Sequence, residues 1–173
     1  MKSAQITEHS RAAVRRARRE DAPSLLALID ALAAYEHLTP PDAAARKRLV
    51  DDLFSAAPRL EAFLADFQGN VIGYALVFET YSSFLALPTL YLEDIFVLPE
   101  FRGRKAGKLL FLAMVEEARR RGCGRMEWEV LDWNKSAIDF YDHLGARQLK
   151  GWLPYRIDRS GMDSVLNNAS DRG

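Results

Sequence analysis

An apolar segment runs through a basic, glycine-containing loop into a long helical pattern, and this order narrows the choice of fold. Residues 91–97 read YLEDIFV, almost wholly apolar, as expected of a buried strand. Lys105–Arg121 has the periodicity of a helix, and Gly122 follows it as a stop signal. A strand that leads directly into a helix predicts a sheet with helices packed on it.

The rest of the chain extends this prediction to a mixed α/β fold. Further strands are predicted at about 14–18, 60–67, 71–80, 125–131 and 152–157, and 90–97 is the strand just described. Further helices are predicted from the Asp21 cap to Tyr35, at about 42–55, and at 134–144 with Asn134 as its cap. Residues 82–89 (SSFLALPT) are predicted to be a loop. We expect one domain at 13–166, between flexible tails at 1–12 and 167–173.

Composition excludes several classes of protein. The 173 residues carry 24 basic and 24 acidic side chains, which argues against a nucleic-acid binder or a polybasic membrane binder. Cys123 is the sole cysteine, so no internal disulfide can form and a reducing compartment is expected. No segment approaches the ~20 apolar residues of a membrane span, and the first residues lack the apolar core of a secretory signal. We therefore expect a cytoplasmic protein without a membrane partner. The three histidines show no metal-ligand spacing, and no metal is expected.

The basic loop has the features of an anion site. Four cationic side chains lie within it: Arg102, Arg104, Lys105 and Lys108, with more arginines at the far end of the helix near Gly122. Backbone N–H groups at a helix start favour an anion, and a diphosphate is the natural occupant. Gly103 and Gly107 allow close approach of the backbone. The spacing is neither GxxxxGK[ST] nor GxGxxG, which argues against the two common nucleotide loops. The alternative is a solvated basic loop.

Two segments carry a resemblance to a known family. VLPEFRGRKAG resembles the acyl-CoA pyrophosphate loop of the GNAT superfamily of N-acetyltransferases, whose pattern is Arg/Gln-x-x-Gly-x-Gly/Ala. Arg102 and Gly107 match that pattern, whereas Lys105 stands where the first glycine is expected. Asn134-x-x-Ala-x-x-Phe-Tyr-x-x-x-Gly-Ala is similar to the second signature of the family. The stretches LAAYEH, YLEDIFV, EVLDWN and AIDFYDHLGA resemble the diamine (spermidine/spermine) and thialysine branch, so that the likeness covers roughly residues 14–160.

The resemblance implies a GNAT-type, mostly antiparallel sheet whose central strands, 91–97 and 125–131, splay apart, often with the help of a bulge. It implies acetyl-CoA as co-substrate, and a homodimer, for which the apolar loop FLALP and the last strand are candidate contacts. The implied cofactor-binding residues are Ile95, Phe96, Val97, Arg102, Gly103, Arg104, Lys105, Ala106, Gly107, Lys108, Asn134 and Ser136.

Glu93 and Tyr141 are the predicted catalytic residues. Burial of one of the adjacent carboxylates Glu93 and Asp94 would raise its pKa toward neutrality and suit it to act as a general base. By resemblance Glu93 removes the proton of the amine, and Asp94 helps to hold that amine; the alternative is a pair in salt bridges with arginine. By resemblance Tyr141 protonates the leaving thiolate, and the alternative is that Tyr141 is only a core residue.

The substrate is expected to be a small amine. Tyr35 and Glu36 resemble the substrate pair of the branch, together with Glu93, Asp94 and Trp152, although Glu36 also fits a solvated helix end. Two acidic positions of polyamine-acting relatives are absent: Ser82-Ser83 follows Tyr81, and Lys150 replaces a glutamate. This favours a smaller amine, or an amino acid with its own carboxylate. The predicted function is acetyl transfer to a primary amine; the alternatives are a CoA-binding sensor without catalysis and a protein or peptide acetyltransferase.

Overall fold

The computed structural model describes residues 12–170. The predicted N-terminal tail lies outside the described residues except for Ala12, and so do positions 171–173 of the predicted C-terminal tail. The chain divides into two compact units, one ending at Glu129 and the other starting at Val130.

Among the described residues, the first unit contains five strands and three α-helices. Its strands are β1 (Ala13–Arg16), β2 (Glu61–Phe67), β3 (Asn70–Ser82), β4 (Leu87–Val97) and β5 (Arg125–Glu127). Its helices are α1 (Ala22–Tyr35), α2 (Ala43–Leu53) and α3 (Ala106–Arg120). The predicted elements up to α3 are confirmed, with ends that shift by a few residues. The predicted Asp21 cap is wrong in one respect: its carboxylate makes no capping hydrogen bond to α1 and accepts from the Arg15 guanidinium instead. No helix within residues 12–170 is long and apolar enough to cross a membrane.

The five strands form a single sheet in the order β1-β2-β3-β4-β5. The first three pairings are antiparallel and the pairing of β4 with β5 is parallel, which confirms the predicted mixed, mostly antiparallel sheet. The ladder between β4 and β5 ends at Tyr91 and Glu127, although β4 continues to Val97. The second half of β4 is therefore not paired with β5, as expected for strands that splay apart.

A bulge interrupts β4 beside that point. Leu76 of β3 pairs with Asp94 whereas the next residue, Val77, pairs with Leu92, so Glu93 is an extra residue in β4. A bulge of this kind bends a strand and changes the direction of the side chains that follow. The two acidic residues of β4 consequently lie at the bend, where sequence periodicity could not assign their faces.

Both faces of the sheet are buried. Leu25 and Leu28 of α1 form one core cluster with strand residues that include Leu64, Tyr74 and Phe96. Strand residues that alternate with these are buried as well: Phe63, Ala65, Ala75 and Val77. Helix α3 contacts β1 through β5 and buries Leu110 and Met114 completely. The ends of α1 and α3 thus lie against a sheet whose two faces are both packed.

The hairpin between β3 and β4 is longer than expected. Residues 82–89 were predicted to be a loop, but β3 extends to Ser82 and β4 begins at Leu87, so only 83–86 turn. The hydroxyl of Ser82 accepts a hydrogen bond from the Leu85 N–H at 3.3 Å and closes the turn. The loop was predicted because the segment mixes turn-forming and apolar residues. Its first and last residues belong instead to the two strands, where each pairs with a residue across the hairpin.

The second unit contains two helices, α4 (Lys135–His143) and α5 (Arg159–Ser170). Helix α4 was predicted, and the Asn134 side chain caps it by accepting a hydrogen bond from the Ala137 N–H at 3.2 Å. The strand predicted at 152–157 is wrong: no described residue pairs with this segment, and a strand cannot form without a neighbour that accepts its hydrogen bonds. The strand predicted at 125–131 ends at Glu127.

Helix α5 was not predicted. It covers 167–170, where the C-terminal tail was expected to begin. The carboxylate of Asp158 accepts hydrogen bonds from the Gly161 N–H and the Ser160 hydroxyl, both at 2.8 Å, and so caps the start of the helix. An Asp just before a helical segment is a recognisable cap, but Gly161 in the first turn and Asn167-Asn168 near the end made the segment resemble a loop.

Candidate active site

A cluster of carboxyl and phenol groups lies where α1 ends against β3 and β4. The Tyr74 side chain, completely buried on β3, donates a hydrogen bond from its hydroxyl to Oδ2 of Asp94 at 3.1 Å. Burial raises the pKa of Asp94 to about 6, and the nearby charges of Glu93 and Glu36 act in the same direction. A carboxyl group with a pKa of about 6 is mostly ionised at pH 7 and becomes protonated as the pH falls through about 6.

The two neighbouring carboxylates of β4 differ in environment. Glu93, the extra residue of the bulge, is exposed, whereas Asp94 is half-buried. The raised pKa expected of one residue of this pair therefore belongs to Asp94. Glu36 follows the last residue of α1, is half-buried, and burial raises its pKa too. Three of the predicted substrate residues are thus brought to one place.

Arg102 joins this cluster to the basic loop. Its guanidinium lies over the ring of Tyr35, 4.6 Å from the centroid, and 5.9 Å from that of Phe96. Its Nε donates a hydrogen bond to the Val97 carbonyl at 3.3 Å. A cation stacked on two rings is held in place by their π faces. A residue expected only in the cofactor loop therefore also contacts Tyr35 of the predicted substrate pair.

The remaining cations of the loop lie in different settings. Arg104 stacks on Phe67, with its guanidinium 4.8 Å from the ring centroid. Lys105 is exposed directly before α3, and Lys108 is exposed in its first turn. The N–H groups of this turn have no carbonyl one turn earlier in the helix. The loop thus places two exposed ammonium groups at the positive end of the α3 dipole.

The arginines at the other end of α3 do not belong to this site. Arg121 forms ion pairs with Glu61 at 2.8 Å and with Glu117 of its own helix, and Arg120 also pairs with Glu117. These arginines bind to Glu117, whose pKa they hold at about 2, and Arg121 ties α3 to β2. They contributed to the apparent excess of positive charge in the sequence because their acidic partners are distant in the chain.

Lys105 adopts a backbone conformation that favours glycine. Its φ is 66° and its ψ is 4°, in the left-handed region, directly before Ala106 opens α3. This is the position at which the loop pattern calls for glycine. A residue with a Cβ is disfavoured there, by about 1 kcal/mol relative to glycine.

We expect the substitution Lys105→Gly to stabilise the protein relative to Lys105→Ala. The two variants lose the same ammonium group, but only glycine relieves the backbone, so their free energies of unfolding should differ by about 1 kcal/mol. Denaturant titration of both variants measures this difference. Equal stabilities would show that the loop tolerates a side chain at this φ without cost.

The strand segment expected to bind the pantetheine arm is held closely by β3. In the pairing of β3 with β4, Gly73 lies opposite Val97 and Tyr74 opposite Phe96. A Cβ added at Gly73 would lie only 2.6 Å from the Phe96 carbonyl oxygen, closer than such atoms can approach. Gly73 therefore sets the position of residues 95–97, which include the predicted cofactor-binding residues Ile95, Phe96 and Val97.

The second unit carries the remaining predicted site residues. Tyr141 is 8% exposed, is the buried residue of α4, and its ring lies 5.4 Å from that of Phe140. Asn134 caps the helix, and Ser136 is exposed in its first turn. Trp152 is 77% exposed in a segment without regular structure. The roles of these residues remain predictions.

Two residues of the site were missed from the sequence, Gly73 and Tyr74. They are adjacent in β3, within the run NVIGYALVF. A glycine inside a strand pattern is a signal for close approach of another backbone, and it could have been found. The partner of Tyr74 is 20 residues away and depends on the bulge, so no local pattern indicates it.

Comparison with known proteins identifies the family. Residues 12–146 match the Acetyltransferase (GNAT) family. L-ornithine N5-acetyltransferase NATA1 of Arabidopsis thaliana is 40% identical over 116 residues, which cover 66% of this chain and 51% of that protein. Thialysine N-epsilon-acetyltransferase of Mus musculus is 33% identical over 160 residues, which cover 86% of this chain and 94% of that protein. The chain thus spans about half of the plant relative and nearly all of the mouse relative.

Solved structures agree on the fold. An integron cassette protein of V. cholerae superposes with a TM-score of 0.74 at 21% sequence identity, over 90% of this chain and 97% of that chain. The match of the family across most of the chain, together with the two relatives, confirms the resemblance seen in the sequence signatures. The chain belongs to the acetyltransferase (GNAT) family.

Proposed function

We propose that the protein is an acetyl-CoA-dependent N-acetyltransferase that acts on the primary amine of a small molecule. The observation that carries this proposal is the order of features along β4 and α3. The bulge presents Glu93 and Asp94, the strand continues to Val97 without a β5 partner, and the basic loop opens α3. An acidic group for an amine and a cationic group for a diphosphate are thus joined by one short segment.

The residues present fit acetyl-CoA. The diphosphate would be held by cationic side chains of the loop, Arg102, Arg104, Lys105 and Lys108, and by the backbone around the start of α3, at Gly103, Ala106 and Gly107. The amides of the pantetheine arm would pair with the backbone of 95–97, as an added strand would. Asn134 and Ser136 complete the set by resemblance. When bound, the cofactor supplies the acetyl group as a thioester.

The acidic cluster supplies the amine side of the reaction. A substrate ammonium ion is attracted to Glu36 and Asp94 and must lose a proton before its nitrogen can attack the thioester carbon. By resemblance we assign proton removal to Glu93, directly or through water, while Asp94, whose pKa burial raises, holds the amine. Attack of the amine nitrogen forms the new C–N bond as the C–S bond breaks, without a covalent link to the protein.

We assign Tyr141 the role of the acid that protonates the leaving thiolate. The thiolate released by C–S cleavage needs a proton, and the phenol of Tyr141 is a donor of suitable strength. Tyr141 occupies the Phe-Tyr position of the second family signature, which supports this role. Cys123 is not used, because burial raises the pKa of its thiol and keeps it in the neutral form.

The substrate class follows from what the chain lacks and from its relatives. By resemblance, Ser82-Ser83 stands where polyamine-acting relatives carry an aspartate; Ser82 is buried and closes the β3–β4 turn with its hydroxyl. The two relatives named above are described as acting on L-ornithine and thialysine, which are amino acids with a side-chain amine. We therefore propose an amine on a small molecule that resembles a basic amino acid, with diamines as the second choice.

A substrate panel with labelled acetyl-CoA tests the proposal. L-Ornithine and putrescine form a matched pair, since they differ by one carboxylate, and spermidine and lysine peptides extend the panel. We expect acetylation of ornithine-like amines with a kcat/KM at least ~10-fold above that of putrescine. Binding of acetyl-CoA without turnover of any amine would favour the CoA-binding sensor, and turnover on peptides alone would favour a protein acetyltransferase.

We also propose that residues 13–166 act as one acetyltransferase domain in a cytoplasmic homodimer. The tip of the β3–β4 hairpin supports the dimer: Phe84 is 95% exposed, and Tyr81 and Leu85 are exposed beside it. Apolar side chains grouped in this way are typical of a contact surface. The mass obtained by sedimentation, for the wild type and for Phe84→Ser, tests this assignment.

A further inference from the structure

Tyr74, a residue of β3, is contained in neither family signature. Its ring is completely buried in the core cluster on the α1 side of the sheet. The ring packs among apolar side chains, whereas the hydroxyl donates a hydrogen bond to Oδ2 of Asp94 at 3.1 Å. A phenol has one hydrogen to donate, so this bond fixes one carboxylate oxygen and leaves Oδ1 for another donor.

The groups around Asp94 would otherwise disfavour its charge. Asp94 is half-buried; Glu93 lies next to it on β4, and the charge of Glu36, at the end of α1, also acts on it. The groups that act on its carboxyl are thus two carboxylates that oppose ionisation and one phenol that favours it. The hydrogen bond from Tyr74 is the influence that lowers the pKa of Asp94.

We propose that Tyr74 is a positioning residue of the acetyl-transfer site: its hydroxyl keeps Asp94 ionised and holds Oδ2, so that Oδ1 can accept the substrate ammonium. This inference rests on the proposed function for the identity of the ligand, a cationic amine. The hydrogen bond acts through Asp94, and Tyr74 itself does not contact the substrate. A buried phenol is suited to this task because its packing fixes the hydroxyl, while the neighbouring carboxylate remains reachable.

The substitution Tyr74→Phe tests the inference, because it removes the hydroxyl that donates to Asp94 and keeps the buried ring. Without the hydrogen bond, the pKa of Asp94 should rise by about one unit, from about 6 toward 7. Below that pKa the carboxyl is neutral and does not attract the amine. The KM for the amine should therefore increase more in acid: about fivefold from this cause at pH 6, about twofold at pH 7, and little at pH 8. The kcat and the KM for acetyl-CoA should change by less than about twofold.

Two variants serve as controls. Tyr155→Phe removes the hydroxyl of a tyrosine that is 92% exposed and should leave the pH profile unchanged. Asp94→Asn removes the ionisable group, and adding Tyr74→Phe to it should cause no further change in the KM for the amine. A purely structural role would lower the melting temperature of Tyr74→Phe, yet leave its pH dependence equal to that of the wild type. That result would overturn the inference.

A direct titration separates this inference from the proposed function. The carboxyl carbon of Asp94 can be followed by ¹³C NMR as a function of pH, without any substrate, in the wild type and in Tyr74→Phe. A rise of about one unit supports the positioning role, even if no amine in the panel is acetylated; in that case the proposed function alone fails. An unchanged titration in an enzyme that acetylates amines refutes the role of Tyr74 and leaves the proposed function intact.

Discussion

Replacing Tyr141 by phenylalanine is expected to lower the turnover number about 100-fold or more. The phenol hydroxyl is the group assigned to protonate the departing thiolate, and general acid catalysis of this kind contributes ~10²–10⁴-fold. Tyr141 is the buried residue of α4, and phenylalanine keeps the ring that packs beside Phe140. The fold should therefore persist, and the KM values for both substrates should change little. Steady-state kinetics with the best amine of the panel measures the effect.

The control for this prediction is Tyr155→Phe. Tyr155 is 92% exposed in the same unit, so that loss of its hydroxyl should not affect turnover. Turnover of Tyr141→Phe within a few-fold of the wild type would remove Tyr141 from the mechanism. It would then be a core residue of α4, the alternative that its sequence position left open.

The second large effect is expected for Gly73→Ala. An added Cβ would lie 2.6 Å from the Phe96 carbonyl oxygen and 2.9 Å from Cγ2 of Val97, so β4 must move away from β3 at this point. Overpacking against a backbone atom has a cost near the upper end of the usual range, about 3 kcal/mol of unfolding free energy. For a chain of this size that corresponds to a melting temperature lower by roughly 6–12 °C. Because 95–97 are the proposed pantetheine ligands, acetyl-CoA affinity should fall too.

Gly107→Ala provides the comparison for stability. A Cβ at Gly107 would lie 3.9 Å from Cγ2 of Val97, an ordinary contact, and alanine is favoured over glycine inside a helix by about 1 kcal/mol. This variant should be as stable as the wild type or more so. Thermal unfolding of both variants, with calorimetric titration of acetyl-CoA for Gly73→Ala, checks the prediction. A Gly73→Ala protein with wild-type stability would show that β4 adjusts at no cost.

Much of the fold could be predicted because the relevant signals are local. The apolar run of β4, the helical spacing of α3 and the Asn134 cap of α4 each depend on residues within a few positions of one another. The predictions that were wrong concern segments whose state depends on a partner. Residues 152–157 have the composition of a strand, but no described strand pairs with them, and Asp158 instead caps a helix.

The site was predicted as a set of residues rather than as an arrangement. Five residues that were named from the sequence come together near the end of α1: Tyr35, Glu36, Asp94, Phe96 and Arg102. The stacking of Arg102 on Tyr35 could not be predicted, because the two residues are far apart in the chain. The pairing of Arg121 with Glu61 was hidden for the same reason.

The order of amino acids alone defines which chemical groups are available: the carboxylates on β4, the cations and glycines around the start of α3, and the tyrosine on α4. These follow from short patterns, since helix caps, strand periodicity and loop composition act over a few residues. Which of the two adjacent carboxylates is buried depends on how distant segments pack. That choice depends on an extra residue in β4 opposite β3 and on the hydroxyl of Tyr74, 20 residues earlier, and the free energy of such contacts arises only when distant segments pack together.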